Sequence, residues 1–205
     1  MDFGCASYCE HAVQCIGNLP PELLAQKEDM LKDRVAIEIK KYFGSDFKRI
    51  GHAVKVARYA EHIGKKEEGS NLAVILCTSY LHDIGINEAE RKHRNTKTEF
   101  QKEEGLLIAR SILEKLGAKE SLVEEVCDII GHNHNTLENE TVNFKAVYDA
   151  NLIVKIEEKQ KDSTISTDRI KDIIKKSFLT VSGRDKAKEI LLKKGKSDEG
   201  KTQNN

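Results

Sequence analysis

Apolar residues recur three and four positions apart through most of the chain, in runs divided by glycines, prolines and capping residues. Pro20-Pro21-Glu22 suits a helix start, with proline in the first turn and an acid at the positive end of the dipole. Leu23, Leu24, Met30, Leu31, Val35, Ile39 and Phe43 then trace one face of an amphipathic helix that stops at Gly44. Ser45 or Asp46 caps a second helix, with Phe47, Ile50, Val54, Ala57 and Ile63 as its apolar stripe and Gly64 as its end. A third is predicted over 71–84, where the unbroken run Leu72-Ala73-Val74-Ile75-Leu76-Cys77 implies burial on every side. The stretch 87–97 is rich in charge and poor in apolar residues, and reads as a solvated loop. Its sharper alternative is a mobile basic lid that touches phosphate through Arg91, Lys92, His93, Arg94 and Lys97.

Further helices are predicted over 98–116, stopped by Gly117, and over 120–131, ending in Gly131-His132-Asn133-His134. Others follow over 142–158, 167–178 and 183–194. No stretch alternates with the period of a strand, and there is no internal repeat. The pattern predicts an all-α bundle of about eight helices in one domain over 19–194. It is preceded by a cysteine-rich segment, 1–18, and followed by a polar tail, 195–205, of disordered composition.

Composition narrows the function classes. The 205 residues carry 34 Lys plus Arg against 34 Asp plus Glu, which argues against a nucleic-acid partner held by bulk charge. The 33% of charged residues and only 2 prolines favour long helices with charged outer faces. No apolar run approaches the roughly 20 residues that span a membrane. The first residues lack the basic and apolar regions of a signal peptide, so a cytoplasmic location without membrane contact is expected. A homodimer is an open alternative to the monomer.

Five cysteines do not suggest a disulfide framework. Cys77 and Cys127 lie in apolar helical context and read as small core residues. Cys5, Cys9, His11 and Cys15 form a separate group with the ligand types of a zinc or iron–sulfur site, although their spacing matches no strong signature.

The candidate chemistry centres on His82-Asp83 at the end of the third helix. A carboxylate at the inner end of a buried helix needs a cation or strong donors, and an imidazole beside it makes an N/O pair for a divalent transition ion. Gly85 follows as a permissive exit from the helix. His52 lies on the second helix behind Gly51, a mid-helix glycine of the kind that marks close approach of another element. Asp149 sits among Val147, Tyr148 and Leu152, an unfavourable helix-interior choice unless it binds something. The alternative is a structural carboxylate capping a neighbouring helix.

Gly51-His52-Ala53-x-x-Val56, Leu81-His82-Asp83-Ile84-Gly85 and Val147-Tyr148-Asp149-Ala150-Asn151-Leu152, in this order, resemble the HD superfamily of metal-dependent phosphohydrolases. The resemblance implies His52, His82, Asp83 and Asp149 as ligands of a divalent Fe, Mn, Co, Ni or Zn ion. Members with two metals add a histidine at the start of the fourth helix and another at the end of the fifth. Here those positions are Lys102 and His132, so one metal is expected, with Lys102 supplying fixed positive charge and His132 a hydrogen bond to phosphate or water.

Asp83, Lys102 and His132 are thus the catalytic candidates. Lys102, His132, Arg49 and Arg94 are candidates for holding substrate phosphate. The implied reaction is hydrolysis of a small phosphoester, a nucleotide above all, by metal-activated hydroxide. The rival is a non-catalytic sensor of a phosphorylated ligand, redox state or metal built on the same domain.

Overall fold

The computed structural model describes residues 21–94, 97–131, 140–163 and 165–192, with side chains from residue 30 onward. Its helices are α1 (Pro21–Phe43), α2 (Phe47–Gly64), α3 (Leu72–Leu81), α4 (Ile86–His93) and α5 (Thr98–Lys115). They continue with α6 (Glu120–Gly131), α7 (Val142–Asp162), α8 (Thr167–Ser177) and α9 (Val181–Ala187), which runs into a π-helical turn, Lys188–Leu192. No strand occurs among the described residues. The cysteine-rich segment, His132 and the polar tail lie outside them.

Caps and turns set the boundaries. Asp46 accepts from the backbone N–H of Arg49 at 3.0 Å, and Asn71 from Ala73 at 3.0 Å. Thr141, Ser166 and Thr180 do the same for α7, α8 and α9. Gly44 and Gly117 end α1 and α5 with φ of 57° and 72°, a left-handed conformation that a Cβ would strain.

α3 is the hub. Its sequence is apolar on every side, so it packs against α1, α2, α6 and α7 together. Two apolar clusters meet on it. Val74, Cys77 and Leu81 belong to the one built with Val35, Ile39, Leu113, Val123 and Val126. Ile75 belongs to the other, with Val56, Ile63, Ile153, Ile174 and Leu191. The helix therefore delivers its C-terminal end, His82-Asp83, to the seam between two halves of the core.

The charged stretch after it is a helix, α4, and not a loop. Glu88 pairs with Arg91 and Lys92, Ala89 is fully buried, and Lys92 and His93 bond the buried carboxylate of Glu104 on α5 at 2.7 and 3.0 Å. His93 also stacks on Phe100, with ring centroids 4.2 Å apart. The role of Gly85 changes accordingly. Its φ is −77°, which any residue adopts, but a Cβ there would run into the Gln101 carbonyl and the backbone of Gly105. It is a crossing point of two backbones. Gly51, by contrast, has open space around its Cβ position, so the expected close approach is absent there.

Candidate metal centre

His82 is the C-cap of α3, its backbone N–H bonded to the Thr78 carbonyl at 2.8 Å. The Nδ1–H of its ring donates to the Ser79 carbonyl at 2.8 Å. A carbonyl only accepts, so the proton is on Nδ1 and Nε2 keeps its lone pair. His52 comes from α2, which packs along α7. Its Nδ1–H donates to Glu158 of α7, 3.1 Å from each carboxylate oxygen, and again Nε2 is left for another partner. Both Nε2 atoms turn to Asp83, at 3.6 Å from His52 and 3.3 Å from His82 to the same Oδ2.

The side chains of His52 and His82 are 12% and 11% exposed while Asp83 is 35% exposed. The histidines thus form the wall, and the carboxylate faces the opening. Burial raises the Asp83 pKa, but the His82 charge, His52 and Lys155 outweigh it and hold the carboxyl well below its usual range. His82 shifts the other way. Burial opposes its charge, and Asp83 with the Ser79 carbonyl more than compensates, so its pKa is raised.

The test for a metal is what these donors lack. Among the described residues, buried side-chain atoms without a hydrogen-bond partner include His52 Nε2, His82 Nε2, Asn151 Oδ1 and Thr78 Oγ1. Leaving such an atom dry and unpaired costs about 1–3 kcal/mol each, so the two imidazole nitrogens beside Asp83 call for a ligand. One atom each of His52, His82 and Asp83 lies within 4.8 Å of the others, a group able to hold a metal ion. Two imidazoles anchored through their outer N–H groups, with one carboxylate, fit a divalent transition ion.

Two cavities adjoin this group. An inner one of 220 Å³, between α3, α5, α6 and α7, is lined by His82, Asp83, Lys102, Tyr148, Asn151 and Lys155 among others. An outer one of 300 Å³ is lined by Lys48, Arg49, His52, Asp83, Lys155 and Glu158. A larger groove of 530 Å³ between α1, α4 and α5 contains none of the donors, and its lysines are paired with its own glutamates.

Asp149, expected as the fourth ligand, does not join the His–His–Asp group. This residue is fully buried, but its Oδ1 accepts from the Leu179 N–H at 2.8 Å. Its Oδ2 accepts from the Thr180 N–H and hydroxyl, at 2.9 and 2.7 Å. A Cβ on Gly183 would collide with that carboxylate. Asp149 therefore organises the entry to α9, the structural alternative, and it joins neither the His–His–Asp group nor either adjoining cavity. Burial pushes its pKa up, and these donors offset the rise only in part.

What α7 presents to the site is Tyr148, Asn151, Lys155 and Glu158. Their spacing of three, four and three places them on one face, roughly 200° round the helix from Asp149 in the case of Asn151. That stripe was the available signal for the residues sequence reasoning missed. Lys102 does line the inner cavity, its pKa lowered by burial. Arg49 reaches the outer cavity while donating to Asp46 at 3.0 Å. Arg94 ends α4 with φ 48° and lines neither cavity, so the structure gives it no place at the centre. His132 and the group Cys5, Cys9, His11 and Cys15 fall outside the described residues.

The class the fold and site define is an all-helical bundle with a His, His-Asp group at the end of its middle helix that could hold a metal ion. The family model of the HD domain matches residues 49–173, and the chain belongs to the HD-domain family. Among solved structures, the chain is similar to a predicted HD superfamily hydrolase from an uncultured Thermotogales bacterium. The identity is 19% and the TM-score 0.57, over 80% of this chain and 87% of that one. No curated protein matches the sequence.

Proposed function

We propose that this protein is a phosphohydrolase that cleaves a small phosphoester, a nucleotide above all, with one divalent metal at His52, His82 and Asp83. The observation that carries this reading is the pair of buried Nε2 atoms without hydrogen-bond partners, both turned to the Asp83 carboxylate. Asn151, on the wall of the inner cavity with His82 and Asp83, also has a buried Oδ1 without a hydrogen-bond partner. A bound ion would supply Lewis acidity to a phosphoryl oxygen and lower the pKa of a coordinated water.

The protein's own part is orientation and charge. The Ser79 carbonyl and Glu158 fix the two imidazoles, and Asp83 points at the open side where water and ester enter. Lys102 and Lys155 place positive charge beside the anionic phosphoryl group. In the reaction a bond forms between the water oxygen and phosphorus as the ester P–O bond breaks. Water gives up one proton, and the leaving oxygen takes up one.

The test is a phosphatase screen of nucleotides and simple phosphoesters with Mn²⁺, Fe²⁺, Co²⁺, Ni²⁺ or Zn²⁺, on wild type and Asp83→Asn. Metal-dependent turnover that falls at least about 100-fold in the variant, with the helical spectrum intact, is expected. Binding of phosphoesters without turnover under every metal would make the protein a sensor instead.

A further inference from the structure

His52, Lys55 and Tyr59 follow one another on α2 at spacings of three and four, so they share the face turned to α7. Two consecutive carboxylates meet them there. His52 faces Glu158, while the Tyr59 hydroxyl donates to Glu157 Oε2 at 2.9 Å and Lys55 Nζ lies 3.5 Å from that same oxygen. The two carboxylates sit in different surroundings. Glu158 is 37% exposed at the outer cavity, where water competes for it, and Glu157 is 5% exposed. Tyr59 is equally closed off, with Arg58 and, from α9, Lys186 at 5.2 and 5.9 Å from its ring centre. Burial first and Glu157 second push the phenol pKa up, so the hydroxyl keeps the proton it donates.

We infer that this buried clasp of Glu157 with Tyr59 and Lys55 sets the position of His52 at the metal centre. The assignment rests on the metal-binding reading above and adds positioning residues to it, all outside the His–His–Asp group and both adjoining cavities. Around the clasp, Val56, Ala60, Ile63, Ile153 and Val154 pack in one apolar cluster. Apolar burial is non-directional, whereas a hydrogen bond to a buried carboxylate tolerates a displacement of only about half an ångström. The clasp therefore fixes how far α2 slides along α7.

His52 lies less than one turn from Lys55, so such a slide carries its ring along. The Glu158 bond does not prevent this. Its two oxygens stand equally far from Nδ1, at 3.1 Å, and either can follow the ring. Without the clasp the ring is free to turn and to exchange tautomers, and Nε2 is no longer held ready for an ion.

The experiment uses the whole chain as wild type, Tyr59→Phe, Glu157→Ala, Glu157→Gln and, as a control, Asn143→Ala. Asn143 is also buried and also bridges elements, donating to Glu125 and accepting from the Asn71 N–H at 2.7 Å each. It sits in the first turn of α7, roughly 20 Å along the helix from Glu157. Each protein is followed by thermal unfolding, calorimetric titration with Mn²⁺, and ¹⁵N-imidazole NMR of the metal-free form in mildly alkaline buffer. The His52 signals are assigned by their loss in His52→Gln. Wild type is expected to show a single His52 tautomer, with the proton on Nδ1. Tyr59→Phe and Glu157→Ala are expected to give a mixture of tautomers and Mn²⁺ binding weaker by about threefold or more. Glu157→Gln keeps an acceptor for the Tyr59 hydroxyl and is expected to restore both. Asn143→Ala is expected to lower the unfolding temperature alone. An unchanged His52 tautomer and Mn²⁺ affinity in Tyr59→Phe, which keeps the ring and its packing, overturns the clasp, and so does an equal loss in Asn143→Ala. Absence of Mn²⁺ binding by wild type overturns the metal reading, and the tautomer spectrum still decides the clasp.

Discussion

His52 and His82 owe their use to groups on the far side of their rings. A backbone carbonyl holds one and the Glu158 carboxylate the other, which sets both tautomers before any ion arrives. Glu158→Gln keeps an acceptor for Nδ1–H but removes its charge. We expect metal affinity to fall about tenfold by calorimetric titration with Mn²⁺ while the fold is unchanged. Asp149 makes the opposite point. Three donors and a glycine cut to fit its carboxylate make it a structural residue, so Asp149→Ala should lower unfolding stability by about 3 kcal/mol in denaturant titration. The sequence showed that this aspartate must bind something. It could not show what, because the donors lie thirty residues later on a turn whose placement depends on how α8 packs. Asn151 was passed over for a complementary reason. An asparagine inside a helix has a polar surface as its ordinary destination, and only packing reveals a buried, unpaired oxygen.

Helix boundaries were readable wherever a cap and an apolar stripe agreed, as at Asp46, Asn71 and Thr141. α4 was not readable, since a short, highly charged segment with one buried residue offers too few apolar positions to read a stripe from. Its order comes from outside, through the crossing of Gly85 with Gly105 and the bonds of Lys92 and His93 to Glu104. Gly85→Ala would force two backbones apart and is expected to cost about 1–3 kcal/mol, measured by thermal unfolding. The neighbouring Asp83 makes metal affinity a second casualty of that variant.

The Glu104 clasp also predicts a pH dependence. Lys92 first and then His93 hold its pKa below the ordinary glutamate value of 4.5. A depressed carboxyl contributes stability that is present above its unfolded pKa and lost as pH falls through the folded one. Wild type should therefore lose stability below about pH 4.5 more steeply than Glu104→Gln, in parallel chemical denaturation series. Equal slopes would remove the clasp from the account.

At the scale of the whole molecule, the all-α architecture followed from helical periods alone, and one apolar run, 72–77, marked the helix that joins both halves of the core. No helix among the described residues is long and apolar enough to cross a membrane. Three of the four residues named as ligands, His52, His82 and Asp83, come together from elements thirty residues apart, because α2 and α3 pack against one another and against α7. The fourth did not, since a helix shows its two sides to different neighbours and the motif's aspartate lies on the wrong one.

The central claim is that His52, His82 and Asp83 hold the metal while Asp149 does not. Elemental analysis of wild type, Asp83→Ala and Asp149→Asn, each loaded with Mn²⁺ or Fe²⁺ and desalted, tests it directly. The account predicts about one ion per chain in wild type and in folded Asp149→Asn, and none in Asp83→Ala. A folded Asp149→Asn without metal, or an Asp83→Ala protein that keeps it, would contradict the account.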